Sequence, residues 1–289
     1  MSGVKAVHLL TLGWERLPKA WSIDGWDPSD ITVEPVPGVL VEVDGGFVLL
    51  DTGFNSALIK DPALYKRFHG NNENIAAILP DGIDEPLLES LDRLGLSSDD
   101  VMAVVVSHLH NDHAGGLKHF TAGQPIYVQQ LELEYGMSEH PGPERNGIFQ
   151  IDYNDPSLNF VKVNGHESES EVSVVPGISV IPTFGHTPGH QSVIVEFAEA
   201  SGGAGFVFAF DAGDLRENFT NEWAIGGTID CDPALTIRHI RRLKALAEER
   251  GLILVPGHDP VLWPRLTSAL DSVANHFPVG LTTEALFSD

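Results

Sequence analysis

Cysteine and positive charge are scarce in this sequence of 289 residues. Cys231 is the one cysteine, so a disulfide within the chain is excluded. Lys and Arg number 17 against 41 Asp and Glu, and a formal net charge of −24 repels nucleic-acid phosphates and anionic membranes. No apolar run approaches membrane-spanning length, and the first residues lack the pattern of a signal peptide. We therefore expect a cytoplasmic protein with neither a nucleic-acid nor a membrane partner.

Short strand patterns and helix patterns alternate along the chain in two similar passages. The first passage predicts strands over 39–43 and 47–50, a helix over 86–94 and a strand over 101–106. The second predicts strands over 171–175, 178–181, 192–197 and 206–210, a helix from Asp232-Pro233 to about Arg250, and a strand over 252–255. This repetition predicts an α/β fold in which two sheets pack face to face with helices outside. We expect a four-layer αββα sandwich that forms a single domain over residues 1–289.

A histidine-rich segment follows the strand predicted at 101–106. It reads Ser107-His108-Leu109-His110-Asn111-Asp112-His113, and four of these seven side chains are metal ligands by type. Side chains alternate faces in an extended segment, so His108 and His110 point the same way and suit one ion. Asp112 and His113 lie on the turn that follows and can face a second ion. A surface loop rich in histidine is the alternative, and the position after a buried strand disfavours it.

Further candidate ligands come directly after other apolar strands. His186 follows the strand near residue 181, Asp211 follows 206–210, and His258 follows 252–255. Ligands at strand ends place a site on a rigid scaffold while loops form the pocket. The candidate set is His108, His110, Asp112, His113, His186, Asp211 and His258. Its five imidazoles and two carboxylates favour zinc, manganese, iron or cobalt over softer metals.

These motifs resemble those of the metallo-β-lactamase superfamily, and within it those of the N-acyl homoserine lactonases. The matching segments are Asp51-Thr52-Gly53, Ser107 to Gly116, Gly185 to Ser192, Asp211-Ala212, Glu217-Asn218-Phe219, Asp232-Pro233 and Gly257-His258-Asp259. The resemblance implies the metallo-β-lactamase fold and two divalent metal ions. It implies that one ion is held by His108, His110 and His186. It implies that the other is held by Asp112, His113 and His258, and that Asp211 bridges the two.

Two more residues receive supporting roles from the resemblance. It implies that Asp51 and His190 orient the ligands by hydrogen bonding, as metal-bound histidines require. For Asp51, a cap on the turn at the strand end is equally compatible with the sequence. For His190, direct metal ligation is the alternative.

The chemistry implied by this site is hydrolysis. Two adjacent cations lower the pKa of a bridging water and stabilise the oxyanion of a tetrahedral intermediate. No Gly-x-Ser-x-Gly motif offers a serine nucleophile. We therefore expect a binuclear metal-dependent hydrolase, with zinc the expected metal, that opens the ring of a small-molecule lactone or cleaves a related ester. A monomer and a homodimer both remain open.

Other members of the same fold supply the alternatives. A thioester hydrolase and a cyclic amide or imide hydrolase would use the same metals, and an oxygenase would hold a single iron. A thioesterase of the glyoxalase II kind has basic residues for a glutathione carboxylate, and no cluster of this kind is evident here. A β-lactamase often has a cysteine ligand where this chain has Asp211. A structural protein with a decayed site is disfavoured because all seven candidate ligands are present.

Two positions depart from the lactonase pattern. Those enzymes have an aromatic residue where this chain has Asn111, and a tyrosine that hydrogen-bonds the substrate carbonyl where it has Asp214. We take Asp112 and Asp214 as the candidate catalytic residues. For Asp214, protonation of the leaving oxygen, binding of a polar or cationic substrate group, and bracing of its loop all remain open.

Two longer segments are candidate contributors to the pocket. Residues 14–37 contain Trp14, Trp21 and Trp26, which could line a substrate site or bury a loop against the core. Residues 54–81 contain Phe68 and His69 and suit a lid or a dimer arm.

Overall fold

The structure is a computed structural model that describes residues 3–138, 147–164, 169–198, 204–227, 231–271 and 281–288. The strands are β1 (Ala6–Pro18), β2 (Ile31–Val43), β3 (Gly46–Leu50), β4 (Ala76–Ile78), β5 (Val101–Val105), β6 (Pro125–Gln129), β7 (Asn159–Val163), β8 (Val172–Val175), β9 (Ile178–Pro182), β10 (Gln191–Glu196), β11 (Gly205–Phe210) and β12 (Ile253–Pro256). The helices are α1 (Ser56–Lys60), α2 (Pro62–Phe68), α3 (Pro86–Arg93), α4 (Asn111–Ala114), α5 (Gln130–Gly136), α6 (Gln150–Tyr153), α7 (Arg216–Asn221), α8 (Pro233–Arg250), α9 (Leu262–Asp271) and α10 (Thr283–Phe287).

The strands form two sheets. One has seven strands in the order β4-β1-β2-β3-β5-β6-β7, and the other has five in the order β12-β11-β10-β9-β8. In the larger sheet, β3, β5, β6 and β7 are parallel, whereas β4, β1, β2 and β3 pair antiparallel. In the smaller sheet, β8 to β11 pair antiparallel and β12 is parallel to β11. The predicted hairpins β2–β3 and β8–β9 are therefore both present.

Period-2 alternation within the strands builds the layers. Along β2, Val39 and Val41 enter a core between the two sheets, whereas Leu40 enters a second core on the outer face of the larger sheet. Along β11, Phe208 enters the same inner core and Val207 enters a third core under α8. Three cores separate four layers, so the predicted αββα sandwich is confirmed. Within the described residues, no helix is long and apolar enough to cross a membrane.

The N-terminal region differs most from the prediction. The sequence predicts no strand in the tryptophan segment 14–37, but in the structure β1 continues to Pro18 and β2 begins at Ile31, so both ends of the segment belong to a long antiparallel pair. The pattern of β2 is hard to recognise because Pro35 and Pro37 cannot donate ladder hydrogen bonds. The register between the two strands also shifts between Thr11 and Gly13, which interrupts the alternation.

Strand direction brings the candidate ligands to one edge of the sandwich. Strands β3 and β5 are parallel, so the residues after them, Asp51 and Ser107, lie at the same edge of the larger sheet. Strands β9 and β11 both run antiparallel to β10, and β12 is parallel to β11, so these three also end together. The segments that carry His186, Asp211 and His258 leave the smaller sheet there.

Candidate metal centre

The histidine segment turns sharply into a short helix after β5. His110 is extended, and α4 begins at Asn111. The chain then passes very close to the segment after β3, because a Cβ at Gly115 would collide with the backbone nitrogen of Asn55. The hydroxyl of Thr52 donates to the His113 carbonyl at 2.7 Å and accepts from the backbone N–H of Gly116 at 3.1 Å. The small residues after His113 are therefore needed for this close packing.

Three histidines form the first group of converging side chains. Nδ1 of His110 lies 2.8 Å from Nε2 of His108 and 2.8 Å from Nε2 of His186. Nε2 of His186 is 3.3 Å from Oδ2 of Asp211. One ligand atom from each of these four buried residues lies within 4.8 Å of the others, as a shared metal ion requires.

Asp112, His113 and His258 form the second group. Nε2 of His113 is 2.9 Å from Oδ2 of Asp112 and 3.3 Å from Nε2 of His258. Oδ1 of Asp211 lies 3.2 Å from Nε2 of His113 and 3.1 Å from Nε2 of His258. The two carboxylate oxygens of Asp211 thus face different groups. The structure brings all seven predicted side chains together, with Asp211 between the two sets.

The hydrogen bonds of these histidines fit a metal site. Nδ1 of His108 faces the hydroxyl of Ser107 at 3.0 Å, that of His113 faces Oδ2 of Asp51 at 2.7 Å, and that of His258 faces the Pro35 carbonyl at 2.8 Å. Each of these oxygens can accept a hydrogen bond from Nδ1–H, and in that tautomer the Nε2 lone pair is directed at the centre. Converging lone pairs and carboxylates are a donor set that a divalent cation satisfies.

Burial and charge shift the ionisation of the two groups in opposite directions. Burial lowers the pKa of His110 to about 4, and burial also lowers the pKa of His108 and of His186 well below the usual range. Burial alone would lower the pKa of His113 and His258 too. For these two residues, neighbouring carboxylates, including Asp112 and Asp211, raise the pKa well above its ordinary value. The opposite directions arise because the carboxylates act more strongly on His113 and His258 than on the three histidines of the first group.

Asp51 and His190 lie behind the converging side chains. Asp51 accepts from the backbone N–H and the hydroxyl of Ser107, both at 2.7 Å, and from Nδ1 of His113. Its carboxylate therefore contacts His113 directly, which goes beyond capping a turn. The ring of His190 lies 5.1 Å from that of His108, and its Nδ1 is 2.8 Å from the Thr183 hydroxyl. His190 is not among the residues whose ligand atoms converge.

Glu132 is a buried positioning residue that the sequence reasoning missed. It lies on α5, and its carboxylate accepts from the backbone N–H of Leu109 at 2.9 Å, the Thr187 hydroxyl at 2.7 Å and the backbone N–H of Gly189 at 3.0 Å. These bonds join the two loops that carry His108–His113 and His186–His190. The sequence analysis predicts no helix over 130–136, and the partners of Glu132 lie 23 or more positions away in the chain, so no local signal marked it.

A cavity of about 340 Å³ opens beside the two ligand groups. It is lined by ligands from both groups and by the side chains of Asn111 and Asp214. Apolar and aromatic residues also line it: Leu17, Trp21, Phe68, Ile75, Ala76, Ala77 and Phe149. Both long segments thus contribute to the pocket, with Trp21 from the first and Phe68 and His69 from the second. The ring of Trp26 instead packs at a tilted angle against that of Trp223, with the centroids 5.9 Å apart.

Two further acidic residues in the lining, Glu15 and Glu34, were also missed. They lie on β1 and β2, in the segment where the sequence predicts no strand. Glu34 is 1% exposed, and burial raises its pKa to about 7. Burial, reinforced by the charge of Asp112, raises the pKa of Glu15. Asp214, whose pKa is raised by burial and by Asp211, is a third carboxyl group of this kind in the lining.

The fold and this cluster define a known class of protein. Residues 31–258 match the family model of the metallo-beta-lactamase superfamily, and the chain belongs to that superfamily. Within it, the chain is 31% identical to an N-acyl homoserine lactonase of Bacillus thuringiensis over 257 residues, which are 89% of this chain and 94% of that protein. It is 29% identical to the N-acyl homoserine lactonase AttM of Rhizobium radiobacter, covering 81% of this chain and 86% of that one.

The comparison with solved structures leads to the same family of enzymes as the comparison of sequences. The fold matches an N-acyl homoserine lactone hydrolase with the product N-hexanoyl-L-homoserine bound at its catalytic metal center. The TM-score is 0.75, the sequence identity is 29%, and the match covers 92% of this chain and 96% of that one. The predicted resemblance is therefore confirmed, and so is the prediction of a metal-dependent hydrolase related to the lactonases.

Proposed function

We propose that this protein is a binuclear metal-dependent lactonase. The observation that carries the proposal is the position of Asp211, whose two oxygens face separate ligand groups beside a cavity. A site with this arrangement can hold two cations a few ångströms apart. The relationship to N-acyl homoserine lactonases supports a lactone ring as the bond that is opened.

The ligand assignment follows the two groups. His108, His110 and His186 would hold one ion, Asp112, His113 and His258 the other, and Asp211 both. Two divalent ions in such a site supply a nucleophilic water of lowered pKa and electrostatic stabilisation of the developing oxyanion. Asp51, Ser107 and the Pro35 carbonyl would keep the imidazoles in the tautomer that the ligands need.

Two carboxylates would act on the reacting atoms. Asp112 faces the cavity as well as His113, so it can hold the proton released when water attacks the ring carbonyl. Asp214 also lines the cavity, and its Oδ1 has no hydrogen-bond partner within the described chain. Its loop is braced by backbone bonds instead, from the N–H of His258 to the Asp214 carbonyl and from the N–H of Gly257 to the Gly213 carbonyl. The Asp214 side chain is therefore available to contact the substrate.

Three finer predictions accompany this function. Zinc in both positions agrees with a donor set of imidazoles and carboxylates, with manganese, iron or cobalt as the alternatives. The cytoplasm remains the predicted location. Assembly as a homodimer remains a hypothesis, which the mass of the protein in solution would test.

The experiment combines metal analysis with a substrate panel. Purified protein loaded with zinc is measured for metal content, and acid release is followed on N-acyl homoserine lactones of several chain lengths and on unsubstituted lactones. We expect two metal ions per chain and ring opening. Two metals with activity on thioesters or cyclic amides alone would replace the lactonase by a related hydrolase. One iron per chain with oxygen uptake would overturn the binuclear hydrolase.

A further inference from the structure

Two glutamates of the cavity lie directly opposite each other in the sheet. Glu15 of β1 pairs with Glu34 of β2 in the antiparallel register. Side chains at such positions share a face of the sheet and lie about 5 Å apart at Cβ, where like charges destabilise the pair. Both line the cavity beside the ligand groups. A cation bound at this place would remove that repulsion.

The positive charge that acts on these carboxylates within the protein comes from His258 and, for Glu15, also from His113, and burial outweighs it. The Ser22 hydroxyl lies 2.9 Å from both oxygens of Glu34 and donates the one side-chain hydrogen bond that this carboxylate receives among the described residues. Throughout the described ranges, no Lys or Arg forms an ion pair with Glu15 or Glu34. Arg16 is the one Lys or Arg residue in the described lining; it is exposed, and it pairs with neither glutamate.

Asp214 adds a third carboxylate with an unsatisfied atom. It is 6% exposed, it lines the cavity, and its Oδ1 has no hydrogen-bond partner in the described part of the chain. One oxygen of Asp214 lies within 4.8 Å of ligand atoms of Asp211 and His258. Asp214 therefore joins the wall formed by Glu15 and Glu34 to the metal centre.

We propose that Glu15, Glu34 and Asp214 bind a cationic nitrogen of the substrate, so that this lactonase prefers lactones with an ammonium group close to the ring. This inference rests on the proposed lactonase function and specifies its substrate class. The short reach from Asp214 to the metal ligands places the cation beside the ring rather than at the end of a long acyl chain. Hydrogen bonds between an ammonium and carboxylates are stronger than neutral ones and most effective away from water.

The rest of the cavity suits a small, partly apolar molecule. The rings of Phe68 and Phe149 pack at a tilted angle with their centroids 4.9 Å apart, and both residues line the cavity together with Ile75. A volume of about 340 Å³ accommodates a single ring with a short substituent. The carboxylates of Glu15, Glu34 and Asp214, here called the acidic wall, thus recognise the charge. The aromatic residues can contact the carbon skeleton of the substrate.

The test compares two substrates of similar shape on the metal-loaded enzyme. α-Amino-γ-butyrolactone bears an ammonium beside the ring carbonyl, and α-methyl-γ-butyrolactone replaces it by a methyl group. The assay is run below the pKa of the amine, and the readout is the ratio of the two kcat/KM values. A hydrogen-bonded charge contributes enough that we expect a ratio of about 10 to 100 in favour of the amine.

Variants locate the effect. Glu34→Gln keeps the shape of the side chain and removes its charge, and we expect the ratio to fall about tenfold. Glu42→Gln is the matched control, because Glu42 lies on the same strand eight residues further along and does not line the cavity. The ratio should stay within about twofold of wild type in this control. A ratio near one in the wild type, or equal ratios in both variants, would overturn the proposal.

A binding measurement separates this proposal from the lactonase function. The corresponding γ-lactams resist hydrolysis, so calorimetry can compare α-amino-γ-butyrolactam with its α-methyl analogue on the same holoenzyme. Tighter binding of the amine, lost in Glu34→Gln, supports the acidic wall even if neither lactone is opened. Ring opening of both lactones with equal lactam affinities would retain the lactonase and reject the cation site. A third metal ion per chain that Glu34→Gln removes would also reject it.

Discussion

The metal-ligand cluster and the acidic wall of the cavity differ in how they are built. The cluster gathers residues that follow β5, β9, β11 and β12, and each ligand stands near a strand end in the sequence. The acidic wall combines Glu15 and Glu34 from a long strand pair with Asp214 from the loop after β11. The cluster follows the motifs that carry the resemblance to the lactonases, whereas Asp214 stands where that resemblance leads us to expect a tyrosine.

This contrast indicates that the metal ligands and the contacts to the substrate depend on different parts of the structure. The candidate ligands follow buried strands, so the two sheets fix their positions. The geometry of the ligand cluster therefore depends on the core of the fold. The cavity wall is built from more peripheral strands and loops, where substitutions alter the pocket without disturbing the ligands. The predictions that follow test this division, from the largest expected effect to the smallest.

Asp211→Ala should abolish the function of the cluster. It removes the carboxylate that faces both ligand groups, and we expect a loss in kcat/KM on the order of 1000-fold together with fewer than two metal ions per chain. Metal analysis and lactone hydrolysis measure both effects. Asp44→Ala, in an exposed ion pair with Lys5, is the control. Full metal content and activity in Asp211→Ala would refute its bridging role.

Asp51→Asn should weaken metal binding without removing a ligand. The amide cannot accept equally well from the Ser107 backbone and from His113, so the ring of His113 loses its orientation. Substituting a residue that hydrogen-bonds to a metal ligand typically lowers metal affinity or activity by about 10- to 100-fold. Competition with a chelator measures the affinity. An unchanged metal affinity would contradict this prediction and would indicate that Asp51 only caps the turn at the strand end.

Glu132→Gln should destabilise the junction between the two ligand loops. Its carboxylate accepts three hydrogen bonds, and an amide would direct its own N–H groups at donors. We expect the free energy of unfolding to fall by about 2 kcal/mol. Urea unfolding of the metal-loaded protein measures this. Glu134→Gln is the control because it lies on the same helix but is exposed, and equal stability of the two variants would contradict the prediction.

Asn111→Phe should shift the cavity toward apolar substrates. Asn111 lines the cavity and its amide donates to the Gly147 carbonyl at 3.1 Å, whereas the resemblance to the lactonases leads us to expect an aromatic residue at this position. An aromatic contact contributes about 0.5–1.5 kcal/mol, so kcat/KM for N-hexanoyl homoserine lactone should rise about threefold relative to an unsubstituted lactone. An equal change for both lactones would show that position 111 does not discriminate between them.

The ligand cluster could be recognised from the sequence because its signals are local. His108 to His113 form one short run after an apolar strand, and Asp211 and His258 each stand just after another. The acidic wall left no comparable signal. Glu15 and Glu34 are 19 positions apart and meet only through the register of β1 and β2, in strands whose pattern is obscured by prolines and a register shift.

By itself, the sequence determined the layered fold, the superfamily and the candidate ligands, because alternation and ligand spacing are properties of consecutive residues. Tertiary structure alone decided which oxygens of Asp211 face which group, how Glu132 joins two loops, and that two glutamates oppose each other beside the metal centre. The physical reason is that these contacts join residues distant in the chain. Their partners are selected by sheet register and packing rather than by local pattern.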